Sequence, residues 1–185
     1  MSKVARYFES NQTRVFVLMG PCGCGKSFIG ELISQELNIP FVEGDELHPE
    51  SNINKMKSNI PLEDLDRYPW LQAIIDKVIE LANTKDPSTI LVSCSALKID
   101  YRNFLRKNFI EKNILVWFVY LKVDKQVLKA RLQQRKNHFM KMEMLESQFK
   151  DLEEPNNEEN VFTIEADNNT DLVKKIVIEN MSIVL

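Results

Sequence analysis

Apolar residues along the chain fall into two kinds of run. Short blocks at residues 15–19 (VFVLM), 39–43 (IPFVE), 89–94 (TILVSC), 114–122 (ILVWFVYLK) and 161–165 (VFTIE) are rich in β-branched and aromatic residues, and they predict strands. The block at 114–122 is apolar without alternation, as expected of a strand buried on both faces of a parallel sheet. Between the blocks the spacing changes to three and four. Residues 26–37 (KSFIGELISQEL) carry apolar positions at 28, 29, 32, 33 and 37, and residues 68–83 place Leu71, Ile74, Ile75, Val78, Ile79 and Ala82 on one helical stripe. Residues 124–137 form a further predicted helix, with Asp124 as N-cap and Val127, Leu128 and Leu132 facing inward. Helices are also expected at 49–57, 142–152 and 170–181. Strands alternating with helices predict an α/β fold with a central parallel sheet.

The first strand stops abruptly in a glycine-rich loop. Residues 20–27, GPCGCGKS, carry the full G-x-x-x-x-G-K-S/T spacing of a phosphate-binding loop. Gly20, Gly23 and Gly25 let the backbone turn through positive φ and approach a ligand closely, so that successive N–H groups converge on phosphate oxygens at a helix N-terminus. Lys26 is expected to reach the β- and γ-phosphates of ATP, and the Ser27 hydroxyl to sit on Mg²⁺. Pro21, Cys22, Cys24 and Phe28 complete the ATP-binding stretch. A glycine-rich turn without a ligand is the competing reading, but it leaves unexplained why strand, loop and helix all fall where the motif needs them. Cys22 and Cys24 are read as small residues filling loop positions rather than as a redox pair; with Cys94 they make an odd count without disulfide or zinc spacing.

Composition narrows the class. A chain of 185 residues is long enough for one domain, with residues 1–13 as a polar arm. A formal net charge of -3 argues against nucleic acid as a partner. The longest apolar run, 114–121, is far short of the roughly 20 residues a membrane helix needs. The first residues also lack the apolar core of a secretion signal, so a cytoplasmic location is expected.

Candidate chemistry gathers after the strand ends, where ligands bind in open α/β sheets. Glu43 and Asp45 follow the second strand and suit a metal-side carboxylate and a general base; an acidic capping turn is the plainer alternative. Residues 46–70 lack a sheet-forming run and concentrate His48, Lys55, Asp64, Asp66 and Arg67, as a substrate-gripping insertion would. Arg67 suits either a pairing with Asp64 or Asp66, or a carboxylate or polyol ligand. Lys98 and Arg102 follow the third strand, as anion or hydroxyl contacts or as solvated helix charges. Arg131 and Arg135 lie four apart beside Lys136 and His138; they read as a lid over phosphates at 132–142 or as an exposed basic helix end.

Taken together, these segments resemble the gluconokinase family, the P-loop sugar-acid kinases related to shikimate and nucleoside monophosphate kinases. The resemblance rests on GPCGCGKS at 20–27, GDELHP at 44–49, NINKM at 52–56, PLEDLDRYPWL at 61–71, CSALKIDYRNFLR at 94–106, RLQQRKNHFM at 131–140 and LESQFKDLEEP at 145–155. It implies a three-layer α/β/α P-loop kinase domain with about five parallel strands, and ATP- and Mg²⁺-dependent phosphorylation of D-gluconate at its 6-hydroxyl. Asp45 would orient or deprotonate that hydroxyl, Glu43 would hold Mg²⁺ through water opposite Ser27, and Lys26 with Arg135 would neutralise the transferred phosphoryl group. Arg131 would cover the adenine, and His48, Arg67, Lys98 and Arg102 would hold gluconate. A homodimer is left open. The chain departs from the family pattern at Glu43, where Asp is usual, at Phe28, where Thr is usual, and at Asn59, where Gly is usual. Two other readings stay in play: a kinase for another small anionic metabolite or a nucleoside monophosphate, and a nucleotide-binding module without catalysis.

Overall fold

The computed structural model describes residues 12–85, 87–134, 142–166 and 169–185. Five strands, β1 (Arg14–Met19), β2 (Phe41–Glu43), β3 (Thr89–Ser93), β4 (Leu115–Lys122) and β5 (Val161–Glu165), form one sheet in the order β2-β3-β1-β4-β5. Every pairing is parallel. The helices are α1 (Lys26–Leu37), α2 (Glu50–Lys57), α3 (Asp64–Lys85), α4 (Ile99–Ile110), α5 (Lys125–Gln134), α6 (Met142–Asp151) and α7 (Thr170–Val184), with a short 3-10 turn at Gly44–Leu47.

The central strand shows why three layers form. Successive β1 side chains point to opposite faces. Val15, Val17 and Met19 pack with Leu71, Ile74 and Val78 of α3 and Leu105 and Phe109 of α4. Phe16 and Leu18 pack with Ile29 and Ile33 of α1, Leu128 of α5, Leu145 of α6 and Val177 of α7. All of these except Ile29 are fully buried, so the unbroken apolar block is a strand with a core on each side.

Most predicted elements fall within a few residues of their observed bounds. The exception is α3, which starts at Asp64 rather than at 68. Its first turns are polar and expose Leu65 (84%), so no apolar stripe marks them, and Pro69 stands inside the helix where a stop signal would be read. Asn59, the replacement for a usual glycine, adopts φ 56, the left-handed conformation that asparagine tolerates better than most residues.

Beyond β2 the backbone runs unusually close to β3. A Cβ on Gly44 would lie 2.2 Å from the Ser93 carbonyl oxygen, an atom fixed in the sheet. Gly44→Ala is therefore expected to destabilise the protein by about 3 kcal/mol, the upper part of the range for overpacking. Chemical denaturation measures this, and a midpoint equal to that of the parent would show the approach to be easily relaxed.

Candidate active site

The ends of β1, β2 and β3 open into a cavity of about 600 Å³. Its walls come from the glycine-rich loop, Asp45 and His48 after β2, Arg67 and Trp70 of α3, Ser95 and Leu97 after β3, and Ser147 and Gln148 of α6.

The loop takes the conformation its glycines permit, with φ of 136 at Gly20, 85 at Gly23 and 105 at Gly25. Gly25 caps α1 in the left-handed region without a side-chain hydrogen bond, so the first-turn N–H groups of α1 face the cavity side as an anion seat. The Lys26 ammonium donates to the carbonyls of Gly20 (2.9 Å) and Pro21 (3.1 Å). Burial acts to lower its pKa, but Cys24 and the Asp45 carboxylate outweigh burial and the net direction is upward, so the side chain is cationic at neutral pH.

Across the cavity, Asp45 sits on the 3-10 turn that follows β2. A small network fixes this turn. The Ser93 hydroxyl and the Asp45 N–H (3.2 Å) both donate to Glu43 Oε1, the Gly44 N–H donates to Ser93 Oγ (3.0 Å), and the Trp70 indole donates to the Gly44 carbonyl (2.6 Å). His48 stacks on Trp70 with ring centroids 4.3 Å apart. The Asn52 amide donates to His48 Nδ1 (3.3 Å), which leaves the ring proton on Nε2. Burial pushes the His48 pKa down to about 4; Arg67 acts in the same direction and Asp45 against it, so the ring is neutral at physiological pH.

Arg67 is 7% exposed, and its Nη2 donates to Asp151 Oδ2 (2.8 Å). Its Nη1 is buried with no hydrogen-bond partner in the protein. Asp151 Oδ1 also lies 3.7 Å from the Lys98 ammonium, which donates to Asp64 Oδ1 (2.6 Å), and the Tyr101 hydroxyl donates to that same oxygen. The hydrogen bonds from Lys98 and Tyr101 hold the Asp64 carboxyl below its ordinary pKa.

A family model described as an AAA domain matches residues 15–155. The chain is 44% identical over 154 residues to the thermoresistant gluconokinase of Escherichia coli K12, covering 83% of this chain and 85% of that protein. It is 37% identical to a probable gluconokinase of Schizosaccharomyces pombe, over 90% of this chain and 91% of the relative. The crystal structure of a gluconokinase from Sinorhizobium meliloti 1021 is 34% identical with a TM-score of 0.77, over 94% of this chain and 98% of that one. The chain belongs to the gluconokinase family. A shikimate kinase from Aquifex aeolicus, 17% identical with a TM-score of 0.61 over 92% of this chain and 96% of that one, shares the fold.

Within this gluconokinase fold the predicted site residues separate. Cys22, Gly23, Gly25, Lys26, Ser27, Phe28, Asp45, His48 and Arg67 all line the cavity. Gly20, Pro21 and Cys24 stand behind it, with Cys24 buried in the core. The Cys94 thiol is also buried, and burial pushes its pKa up to about 12, which leaves it inert. Arg131 reaches the loop from α5, donating to the carbonyls of Gly23 (3.5 Å) and Ala166 (3.0 Å). Glu43 stands just outside the wall, held by Ser93. Arg135, Lys136, His138 and most of the segment 132–142 lie outside the described residues, as does the arm up to residue 11.

Two expectations do not fit this geometry. Arg102 is fully buried, and its guanidinium is occupied by Glu158 and by the carbonyls of Ala96 (2.8 Å), Leu97 (2.9 Å) and Glu153 (3.0 Å). It points into the protein and has no donor left for a ligand. Lys98 does not line the cavity either; its ammonium is taken by Asp64 and acts at one remove from Arg67, through Asp151. Position after a strand end located both residues on the right edge of the sheet but could not give the direction of their side chains. Conversely, Met144, Ser147 and Gln148 line the cavity from α6 without having been singled out. Only the place of Ser147 and Gln148 in the family segment LESQF pointed to them, and nothing pointed to Met144, since the helical spacing reads as core.

His48 is expected to titrate near pH 4 in the folded protein, below its ordinary value of 6.5. Its neutral form contributes stability that is complete above the unfolded value and is lost as pH falls toward 4. NMR titration of the ring carbons checks this, and a midpoint at or above 6.5 would contradict the burial described.

Proposed function

We propose that the protein transfers the γ-phosphoryl group of ATP to the 6-hydroxyl of D-gluconate, giving 6-phospho-D-gluconate and ADP. Membership of the gluconokinase family supports the reaction class. The observation that carries the acceptor is Arg67, a cavity-lining arginine whose buried Nη1 has no protein partner. An unsatisfied buried charged donor costs a few kcal/mol, roughly the worth of a charge-assisted hydrogen bond, so an anion placed there offsets a standing penalty. The gluconate carboxylate suits this donor. The neutral His48 ring, held with its proton on Nε2, offers a donor to a hydroxyl beside it.

Donor and acceptor then meet between the loop and the turn after β2. Loop amides and the Lys26 ammonium take the phosphate charge, and Arg135 of the lid segment 132–142 adds a second cation. Asp45, on a turn tied to Glu43 and Trp70, orients the 6-hydroxyl. Residues 46–70 act as the acceptor-gripping insertion, and in this reading Arg131, which donates to the loop at Gly23, covers the nucleotide base. Among the described residues no group of three or more His, Cys, Asp or Glu side chains forms a metal cage. The Ser27 hydroxyl and the Glu43 carboxylate are oxygen donors that suit Mg²⁺, which keeps waters and takes phosphate oxygens as ligands; Ser27, and Glu43 through water, would hold it, and it would supply charge neutralisation on the phosphates.

Purified protein with Mg-ATP and gluconate is expected to generate 6-phosphogluconate, read by coupled oxidation, while a panel of other sugar acids, shikimate and nucleoside monophosphates at equal concentration gives less; no turnover of gluconate above background rejects the reading. Arg67→Ala is expected to raise the gluconate KM by roughly 10-fold or more, the loss of one charge-assisted hydrogen bond to substrate. A change confined to the KM for ATP would contradict the placement of the carboxylate.

A further inference from the structure

We propose that Gln148 is a positioning residue that links occupancy of the phosphate loop to the setting of Arg67, acting through α6. The inference rests on the reading of the cavity as an ATP and gluconate site.

Met144, Ser147, Gln148 and Asp151 recur on α6 at the spacing of one helix face. The first three line the cavity, and two members of the face hold its opposite ends. Gln148 Oε1 accepts a 2.6 Å hydrogen bond from the Cys22 N–H of the loop. One turn further, Asp151 Oδ2 accepts from Arg67 at 2.8 Å. Leu145 anchors the back of the helix in the core. Its flank meets α5 through Glu146, which pairs with Lys125 (2.5 Å) and Lys129 (2.8 Å) where all three side chains are more than a third exposed, and through Phe149, whose ring lies 5.3 Å from the Lys125 ammonium. Such exposed ion pairs add little to the hold on α6.

The chemistry of the loop makes the contact to Cys22 consequential. A loop of this type binds phosphate through converging N–H groups, and one N–H serves one strong acceptor well. The Gln148 carbonyl and a phosphate oxygen are therefore rivals for the Cys22 amide. When phosphate takes it, the loop end of α6 is released, and the carboxylate that fixes Arg67 sits on the same helix one turn away. Nucleotide seated on the loop thus alters how firmly Arg67 is held for the acceptor.

The rivalry predicts an order that a packing role does not. Titration of a Mg-bound non-hydrolysable ATP analogue into Gln148→Ala, which removes the rival, is expected to give a Kd equal to that of the parent or up to roughly fivefold lower. Gln148→Met, which keeps length without an acceptor, should match it. Gln148→Glu keeps the acceptor and adds negative charge beside the phosphates, so its Kd should rise roughly tenfold or more. The ratio of gluconate Kd with and without the analogue should differ from unity in the parent and return to within about twofold of unity in both neutral variants. Weakened analogue binding in Gln148→Ala and Gln148→Met, or a coupling ratio that they share with the parent, overturns the proposal. A parent that binds and turns over no gluconate rejects the functional reading instead; normal turnover with an unchanged coupling ratio rejects only the role of Gln148.

Discussion

Three parallel strands that end at one level fix nearly everything else about the site. Ser93 lies opposite Leu18 of β1 on one side and Glu43 of β2 on the other. Whatever follows residues 18, 43 and 93 must therefore emerge above the same sheet edge. The glycine-rich loop, the Asp45 turn and the Ser95–Leu97 stretch are neighbours for that reason, although they are far apart in sequence. Ser93 serves twice, as a ladder residue and as a hydroxyl bridging Gly44 and Glu43. The close pass of Gly44 makes that bridge possible.

Charge is arranged around this frame according to how much of each group is already used. Arg67 and Arg102 occupy like places, each the fourth residue of its helix and nearly or wholly buried. Arg102 meets Glu158 and three carbonyls, so its desolvation is compensated within the protein and its role is to hold chain segments together. Arg67 has one carboxylate partner and one nitrogen over. The difference between a structural and a ligand-directed arginine here is a count of unspent donors.

Much of this was legible before any coordinates. The apolar blocks named the five strands, and spacing placed α1 at the residues observed, because a buried parallel strand and an amphipathic helix leave unambiguous patterns. The loop motif located Lys26 and Ser27, and the family segments brought Asp45, His48 and Arg67 to one cavity. What failed was direction. Arg102 follows β3 as a ligand residue would, but its partner Glu158 lies 56 positions away and no local pattern announces it. The contribution of α6 was hidden for the related reason that a helix face lining a cavity and a helix face lining a core have the same period.

Ala96 carries a consequence for how the cleft can accommodate ligands. It is fully buried at φ 43, a left-handed conformation that disfavours any residue with a side chain. Its neighbours hold it there. The Ser95 carbonyl accepts from the Gly20 N–H (3.2 Å), the Ala96 carbonyl from Arg102, and the Leu97 carbonyl from both Arg102 and the Glu153 N–H (2.9 Å). Every carbonyl of the stretch is thereby pinned, and the stretch cannot yield without breaking buried bonds. The opposite side, α6, is held by Leu145 in the core, by Phe149 beside Lys125 of α5 and by solvent-facing ion pairs. Differences in the length of what the cleft grips must therefore be taken up elsewhere than at Ser95–Leu97.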